Sequence, residues 1–332
     1  MNLSLIIEQI NAFNQDGVIL ASGSTPDYDD AIVKYQEAIH LARQYEVNPD
    51  YLAFSVANKG YAQRQKGEDR SLVLRLLETK LGKMPSLMSE WISKDSSRRE
   101  SYAGRARLLE ESALVRRYTP DAEVVQDLTY ALSQINEAVS LYQRASDNAE
   151  VEIIPSGEVR SKLWRSYGIT SAVATELARN EPSRKREYLG LASSFAQQEL
   201  AARLMAGETE GFSLLNAYHT LGIVQTELVG EDKTVYDAAK VNLQQAKLLA
   251  ERANLGLNIS TLTFREAWLE YRRDQSDIFA ITLLVQQVLD FQQVEAYRWN
   301  SGTKKALRQQ MIVLGTHLGG QYQQEIDLLY KK

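Results

Sequence analysis

The chain has 332 residues, of which 44% are hydrophobic and 24% are charged, and its formal net charge is −5. This composition supplies enough apolar material for a core, and its acidic balance gives no global electrostatic reason to bind nucleic acid. The absence of cysteine excludes disulfides, thiolate metal ligands and a thiol nucleophile. Only six prolines and eighteen glycines occur, which favours a helical chain.

The first segment of the chain is predicted to be an amphipathic helix. Leu3, Ile6, Ile7, Ile10 and Phe13 recur at helical spacing. The segment lacks a basic leader followed by a long apolar stretch, so we expect no secretory signal. No window of the chain approaches about eighteen consecutive apolar residues, so we expect no membrane span. Together with the lack of cysteine, these features predict a cytoplasmic protein.

Apolar residues continue to recur at steps of three and four along the chain, which predicts an all-α protein. Asp27 is a candidate N-cap, and Pro49 marks the break before another helix. Irregular segments are predicted near 81–97 and 147–157, and neither is long or polar enough to be an interdomain linker. The predicted helices are 3–20, 26–46, 49–66, 69–81, 97–117, 121–147, 157–180, 183–206, 210–229, 233–254, 259–273, 276–296, 302–318 and 320–330.

Small and large residues alternate on one face of four predicted helices, which lets each helix lie close against a neighbour. The clearest copy is DYDDAIVKYQEAIHLARQYEVNP, and the others are LTYALSQINEAVSLYQRA, YLGLASSFAQQELAARL and YDAAKVNLQQAKLLAERANLG. Other helices carry an interior glycine, at Gly60, Gly168 and Gly222. A mid-helix glycine costs about 1 kcal/mol relative to alanine, so each of these glycines predicts a close helix crossing.

These segments resemble the tetratricopeptide repeat, which has an aromatic residue, Leu-Gly and Tyr on a first helix and Ala, aromatic, Ala on a second. The intervals between the Ala-rich helices mostly exceed the usual ~34 residues, so the helices are elongated. The resemblance implies one domain over 1–332, a right-handed α-solenoid of about six to seven antiparallel hairpins. It also implies a scaffold or adaptor that binds a protein or peptide on its concave face.

The first helix of each hairpin lines the concave face in that family, so the interior glycines indicate which residues resemble groove positions. The charged members of this set are mostly basic, and their side chains suit the carboxylates of an acidic peptide. Alternatively, these side chains pair with glutamates from neighbouring helices. The candidate binding residues are Arg64, Lys162, Arg165, Asn216, His219 and Arg265; Phe54, Ala57 and Tyr61 also resemble groove positions, and Arg272 and Arg273 follow in poorer register.

We expect no enzyme, no cofactor and no metal site. The three histidines lie in different predicted hairpins, and the motifs for phosphate loops, dinucleotide turns and metalloproteases are absent. Glu110 and Glu111 are adjacent, as are Asp29 and Asp30, and adjacent helical side chains point about 100° apart. We therefore interpret both pairs as solvated helix surface or first-turn charge.

Two further features leave alternatives open. Met84, Leu87, Met88, Trp91 and Ile92 form an apolar cluster, which is either a short amphipathic helix packed on the solenoid or a flap that contacts a partner.

The binding scaffold itself has three alternatives. They are a peptide-responsive regulatory sensor, a structural homo-oligomer stacked end to end through the Ile-rich first helix, and, least favoured, a helical enzyme.

Overall fold

The structure is a computed structural model, which describes residues 2–22, 25–118, 123–148, 150, 152–230, 232–295 and 301–330, without the side chains at 257, 290–295, 301–309 and 327–330. In these residues the chain forms fourteen α-helices and no β-strand, which confirms the predicted all-α class. The helices are α1 (Leu3–Ser22), α2 (Tyr28–Gln44), α3 (Pro49–Lys66), α4 (Arg70–Ser93), α5 (Ala103–Tyr118), α6 (Val124–Asp147), α7 (Ser156–Asn180), α8 (Lys185–Met205), α9 (Phe212–Val229), α10 (Tyr236–Arg252), α11 (Gly256–Arg273), α12 (Ile278–Glu295), α13 (Ser301–Leu318) and α14 (Gly320–Tyr330).

The early helix ends follow from local capping chemistry. The Asp27 carboxylate accepts a hydrogen bond from the Asp30 amide at 3.0 Å, which confirms the predicted N-cap of α2. Pro49 is the first residue of α3, where its missing N–H group costs nothing. Gly67 ends α3 with a φ of 85°, a left-handed conformation that glycine adopts without steric cost.

The prediction that helix gives way to irregular structure at residue 81 was wrong, because α4 continues to Ser93 with Pro85 inside it. Proline removes one helical hydrogen bond, but Met84 and Met88 are only 2% and 6% exposed. Their burial stabilises the helix beyond the proline. Trp91 lies half-buried on the same helix, where the Arg98 guanidinium stands 4.8 Å from its ring centroid.

Helix α5 begins at Ala103, although the sequence pattern predicted a start at 97. The Glu152 carboxylate accepts hydrogen bonds from the amides of Tyr102 and Ala103, at 2.9 and 3.1 Å, and so caps the helix there. A carboxylate that is distant in sequence fixes this boundary, which local patterns do not indicate. The predicted helix start at 121 and the predicted end at 296 lie outside the described residues.

The chain divides into two compact units, Met1–Val173 and Ala174–Lys332, with the boundary inside α7. In the first unit each of α1 to α6 packs on its neighbours in sequence, and α3 also packs on α1 and α5. In the second unit α8 to α12 pack consecutively, α9 also packs on α11, and α13 packs on α14. None of the described helices has the length and apolar character needed to cross a membrane.

The predicted alternation of small and large residues forms the buried stripes of the Ala-rich helices. An alanine leaves room for the next helix, and the larger residue one turn away fills the space beside it. A Cβ atom at Gly222 would lie only 2.7 Å from Leu243, so α9 and α10 do cross closely there. The stripe residues, each less than 10% exposed, are Ala31, Tyr35, Ala38 and Ala42 on α2, Ala131, Ile135, Ala138 and Leu141 on α6, Ala192, Ala196 and Leu200 on α8, and Ala239, Leu243, Ala246, Leu249 and Ala250 on α10.

Candidate functional site

Helix α5 carries two adjacent glutamates into the interior of the first unit. Glu110 and Glu111 are both 0% exposed, so their interpretation as solvated surface was wrong, whereas Asp29 and Asp30 are exposed as expected. The reason is tertiary: α3, α4 and α6 all pack against α5 and bury almost its whole circumference. From Ala106 to Val115, α5 therefore has no solvent face for its charged residues.

Cationic side chains compensate these buried carboxylates. The Arg107 guanidinium bridges both, with Nη1 at 3.2 Å from Glu111 Oε2 and 3.5 Å from Glu110 Oε1. Arg64 Nε donates to Glu111 Oε1 at 2.7 Å, and Arg165 Nη2 lies 3.3 Å from Glu110 Oε1. A buried carboxylate is tolerated when it is paired and hydrogen-bonded in this way.

Tyr142 completes the surroundings of Glu110 from α6. Its hydroxyl donates a hydrogen bond to Glu110 Oε2 at 3.2 Å, and its side chain is fully buried. Burial opposes ionisation of Glu110, but Arg165, Arg107 and Lys162 outweigh it and lower its pKa. Burial and the adjacent Glu110 raise the pKa of Tyr142 well above its ordinary value. A carboxylate with a lowered pKa is a poor proton donor near neutral pH, so this arrangement suits charge compensation better than proton transfer.

The cluster has an inner part and an outer edge. The side chains of Arg64 and Arg107 are 9% and 6% exposed, whereas those of Lys162 and Arg165 are 20% and 49% exposed. Lys162 also binds the exposed Glu158 at 3.2 Å, and burial lowers the pKa of the lysine. The two residues on α7 are therefore the part of the cluster that an external ligand can reach.

Aromatic rings lie beside these cations. The Lys162 ammonium stands 5.5 Å from the centroid of the buried Phe54 ring. The Arg64 guanidinium stands 5.5 Å from the Tyr61 ring and 5.2 Å from the Tyr118 ring. Cation–π contacts of this kind hold the charged groups in place and add an apolar surface next to them.

The structure brings three of the predicted binding residues into this one cluster, namely Arg64, Lys162 and Arg165. It also shows them pairing with glutamates, which was the alternative interpretation. Sequence reasoning missed Arg107, Glu110, Glu111 and Tyr142. A signal was present, because Arg107 precedes Glu110 and Glu111 by three and four residues within AGRARLLEESALV, where the other residues are mostly small or apolar.

The other three predicted residues lie in the second unit. Asn216 is half-buried on α9, and His219 follows it on the same helix with its Nε2 atom buried. Arg265 on α11 is 5% exposed, and its Nη1 donates to Gln310 Oε1 at 2.8 Å. Burial and the nearby Arg265 lower the pKa of His219 to about 3, so its imidazole is neutral near pH 7.

Comparison with known proteins adds no family to this description. No protein-family model matches the chain, and no curated protein matches it. Within the described residues, no three His, Asp or Glu side chains are grouped so that they could hold a metal ion. The site is therefore characterised by its own chemistry, a cationic edge supported by buried carboxylates.

Proposed function

We propose that this chain is a tetratricopeptide-like binding protein that takes an acidic peptide segment at the edge formed by Lys162 and Arg165. The observation that supports this proposal is the charge balance of the cluster. Among the described residues, four cationic side chains lie beside the two buried carboxylates and the exposed Glu158, which leaves one positive charge in excess, and the two outer cations remain partly exposed. A carboxylate of a ligand adds the negative charge that this edge lacks.

The arrangement also explains how such a ligand is oriented. Glu110 pairs with Nη2 of the Arg165 guanidinium, which leaves the other N–H groups of Arg165 for the carboxylate of a ligand. Phe54 lies beneath Lys162 and restricts the position of its ammonium group. A fixed cation loses less conformational entropy on binding than a free one, which favours affinity. The consecutive packing of α1 to α6 is compatible with a repeat scaffold that presents such a surface.

The test uses Arg165→Gln and Lys162→Gln in the full-length chain. Glutamine avoids placing a new carboxylate beside Glu110, which Arg165→Glu would do. A library of labelled synthetic peptides rich in Asp and Glu serves as the probe, and fluorescence anisotropy measures binding. We expect the double variant to bind roughly 30-fold more weakly, since each of the two partly exposed charge-assisted contacts contributes about 1 kcal/mol.

The matched control is Arg160→Gln, which removes the same charge from an exposed position on the same helix. It should bind the acidic library as the unmodified chain does. The proposal fails if a library with Gln and Asn in place of Glu and Asp binds equally well. It also fails if Arg160→Gln and the double variant lose the same affinity. Circular dichroism establishes that each variant is folded.

A second candidate, end-to-end assembly of copies, is favoured by one feature of α1. Leu5 and Ile19 are 58% and 60% exposed, and their separation places them on nearly the same face of the helix. Exposed apolar residues on one face suit a contact with another chain. Light scattering tests this candidate by comparing the molar mass of the unmodified chain with that of the double variant Leu5→Glu and Ile19→Glu. A mass of one chain both before and after the substitutions would exclude assembly through this face.

A further inference from the structure

A second cluster of cations lies in the second unit, around Glu227 on α9. Arg179 Nη2 and Nε donate to Glu227 Oε1, at 2.7 and 3.2 Å. Arg272 Nη2 donates to the backbone carbonyl of Glu227 at 3.1 Å. Gln310 Nε2 lies 3.4 Å from Glu227 Oε1, while Gln310 Oε1 accepts from Arg265 Nη1 at 2.8 Å. Arg179 and Gln310 thus bind the Glu227 carboxylate directly, Arg272 binds the backbone of the same residue, and Arg265 is linked to it through Gln310.

Several polar atoms in this cluster are buried without a hydrogen-bond partner. They are Nε of Arg265, Nε of Arg272 and Nε2 of His219. Arg265 is only 5% exposed, so solvent does not take the place of the missing partner. Buried donors are normally satisfied, so these unsatisfied atoms remain able to bind a ligand.

The charges of the cluster do not balance. Within the part of the chain that the structure describes, three guanidinium groups surround the single carboxylate of Glu227. Arginine stays protonated in proteins, so the excess is two positive charges. The pKa of Arg265 is lowered by burial and by Arg179, as expected for guanidinium groups that lie close together, although Glu227 partly opposes this effect.

We propose that Arg179, Arg265, Arg272 and His219 form a site for a compact tetrahedral oxyanion, either free phosphate or the phosphate group of a small monoester. A phosphate monoester carries about 1.5 to 2 negative charges at pH 7, and the guanidinium groups favour the dianion of free phosphate, so either ligand matches the excess. The phosphate oxygens point in several directions and so reach donors on different helices, whereas a planar carboxylate presents only two. The neutral His219 imidazole donates an N–H without adding charge. Access is from the side of Arg179, whose side chain is 27% exposed.

This inference rests on the second unit alone and is independent of the proposed peptide site. The chain has three histidines, His40, His219 and His317, so the imidazole signals of a ¹⁵N-histidine-labelled sample are few and separable. Inorganic phosphate is titrated against chloride at constant ionic strength. We expect a saturable shift of the His219 signals, assigned with His219→Gln, while the His40 and His317 signals stay in place.

Two variants localise the effect. Arg179→Gln should weaken phosphate binding at least tenfold, whereas Arg184→Gln, an exposed arginine of the same unit that binds Glu187, should leave it unchanged. Parallel titrations with glycerol phosphate and acetate distinguish the sources of the anion. Tighter binding of glycerol phosphate than of inorganic phosphate identifies a monoester as the ligand class, and equal or weaker binding shows that inorganic phosphate alone satisfies the site. The proposed site would be overturned if the His219 signals of the unmodified chain showed no saturable shift with phosphate. It would also be overturned if acetate produced an equal shift, or if Arg184→Gln weakened phosphate binding as much as Arg179→Gln.

Discussion

At Gly222 the backbone of α9 lies in direct contact with the Leu243 side chain of α10. A Cβ atom added there would stand 2.7 Å from Leu243 Cδ2 and 2.9 Å from its Cγ. We expect Gly222→Leu to overpack this crossing and lower the free energy of unfolding by roughly 1–3 kcal/mol. Chemical denaturation followed by circular dichroism measures the change.

Gly190 is the matched control for this substitution. It lies inside α8, is exposed, and has no atom within 4 Å of an added Cβ. Gly190→Leu should therefore raise the unfolding free energy by a few tenths to about 1 kcal/mol, because leucine has the higher helix propensity. Equal effects of the two substitutions would show that the loss at Gly222 does not come from the crossing.

Asp50 is a fully buried carboxylate at the beginning of α3. Its Oδ2 accepts from the Gly104 amide at 3.1 Å, while its Oδ1 has no hydrogen-bond partner among the described residues. Burial raises its pKa to about 7, with smaller contributions from Glu152 and Glu100, while hydrogen bonds from Gly104 and Ser101 oppose the shift. The folded chain therefore holds a proton at Asp50 that the unfolded chain has released above about pH 4.

The sign of the resulting pH dependence follows from that proton. The contribution of Asp50 to the free energy of unfolding is fully present below about pH 4. It decreases by up to about 4 kcal/mol as the pH rises through 7. Asp50→Asn cannot titrate, so the difference in unfolding free energy between the unmodified chain and this variant should change across this window and level off above it. Urea denaturation at a series of pH values measures it. A constant difference from pH 4 to 8 would contradict the raised pKa.

Local sequence patterns predicted most of the helices, but they failed where a contact between residues distant in sequence determines where a helix begins or ends. The Asp27 cap, the Pro49 start and the Ala-rich stripes depend on neighbours in sequence, and all of them were predicted. The continuation of α4 past Pro85 depends on burial of Met84 and Met88 against other helices, which single-sequence patterns do not show. The same limit applies to the candidate site. Basic residues of α3 and α7 were predicted, whereas their buried acidic partners on α5 were taken as surface.

The pairing of α3 with α5 through Glu111 predicts that removal of this carboxylate destabilises the contact between the two helices. At this buried crossing Glu111→Gln leaves Arg64 without its carboxylate and Arg107 with Glu110 alone, so the unfolding free energy should fall by about 3–5 kcal/mol. The matched control is Glu137→Gln, which breaks the exposed pair with Arg105 and should cost less than about 1 kcal/mol. Denaturant titration compares the two. Similar losses would mean that burial of the Glu111 pairs has no energetic consequence.

At the scale of the whole molecule, the two compact units lead to a test of the prediction that 1–332 is one domain. The first unit has its own apolar cores, which include Ile6, Ile10, Leu77 and Leu108. We expect a fragment of residues 1–180, cut at the end of α7, to fold alone and to unfold cooperatively with a helical circular dichroism spectrum. A fragment without a cooperative transition would favour the single domain.

The buried charge cluster of α5 also restricts how the sequence can diverge. Loss of Glu111 strands Arg64 in the interior, and loss of Glu110, Arg64 or Arg107 removes one of the paired buried charges, so each single replacement passes through a destabilised chain. Neutral drift at these positions is therefore blocked unless two replacements arrive together. Related sequences should consequently keep or exchange positions 64, 107, 110 and 111 as a set, and this correlated inheritance would trace the cluster through lineages in which little else of the sequence persists.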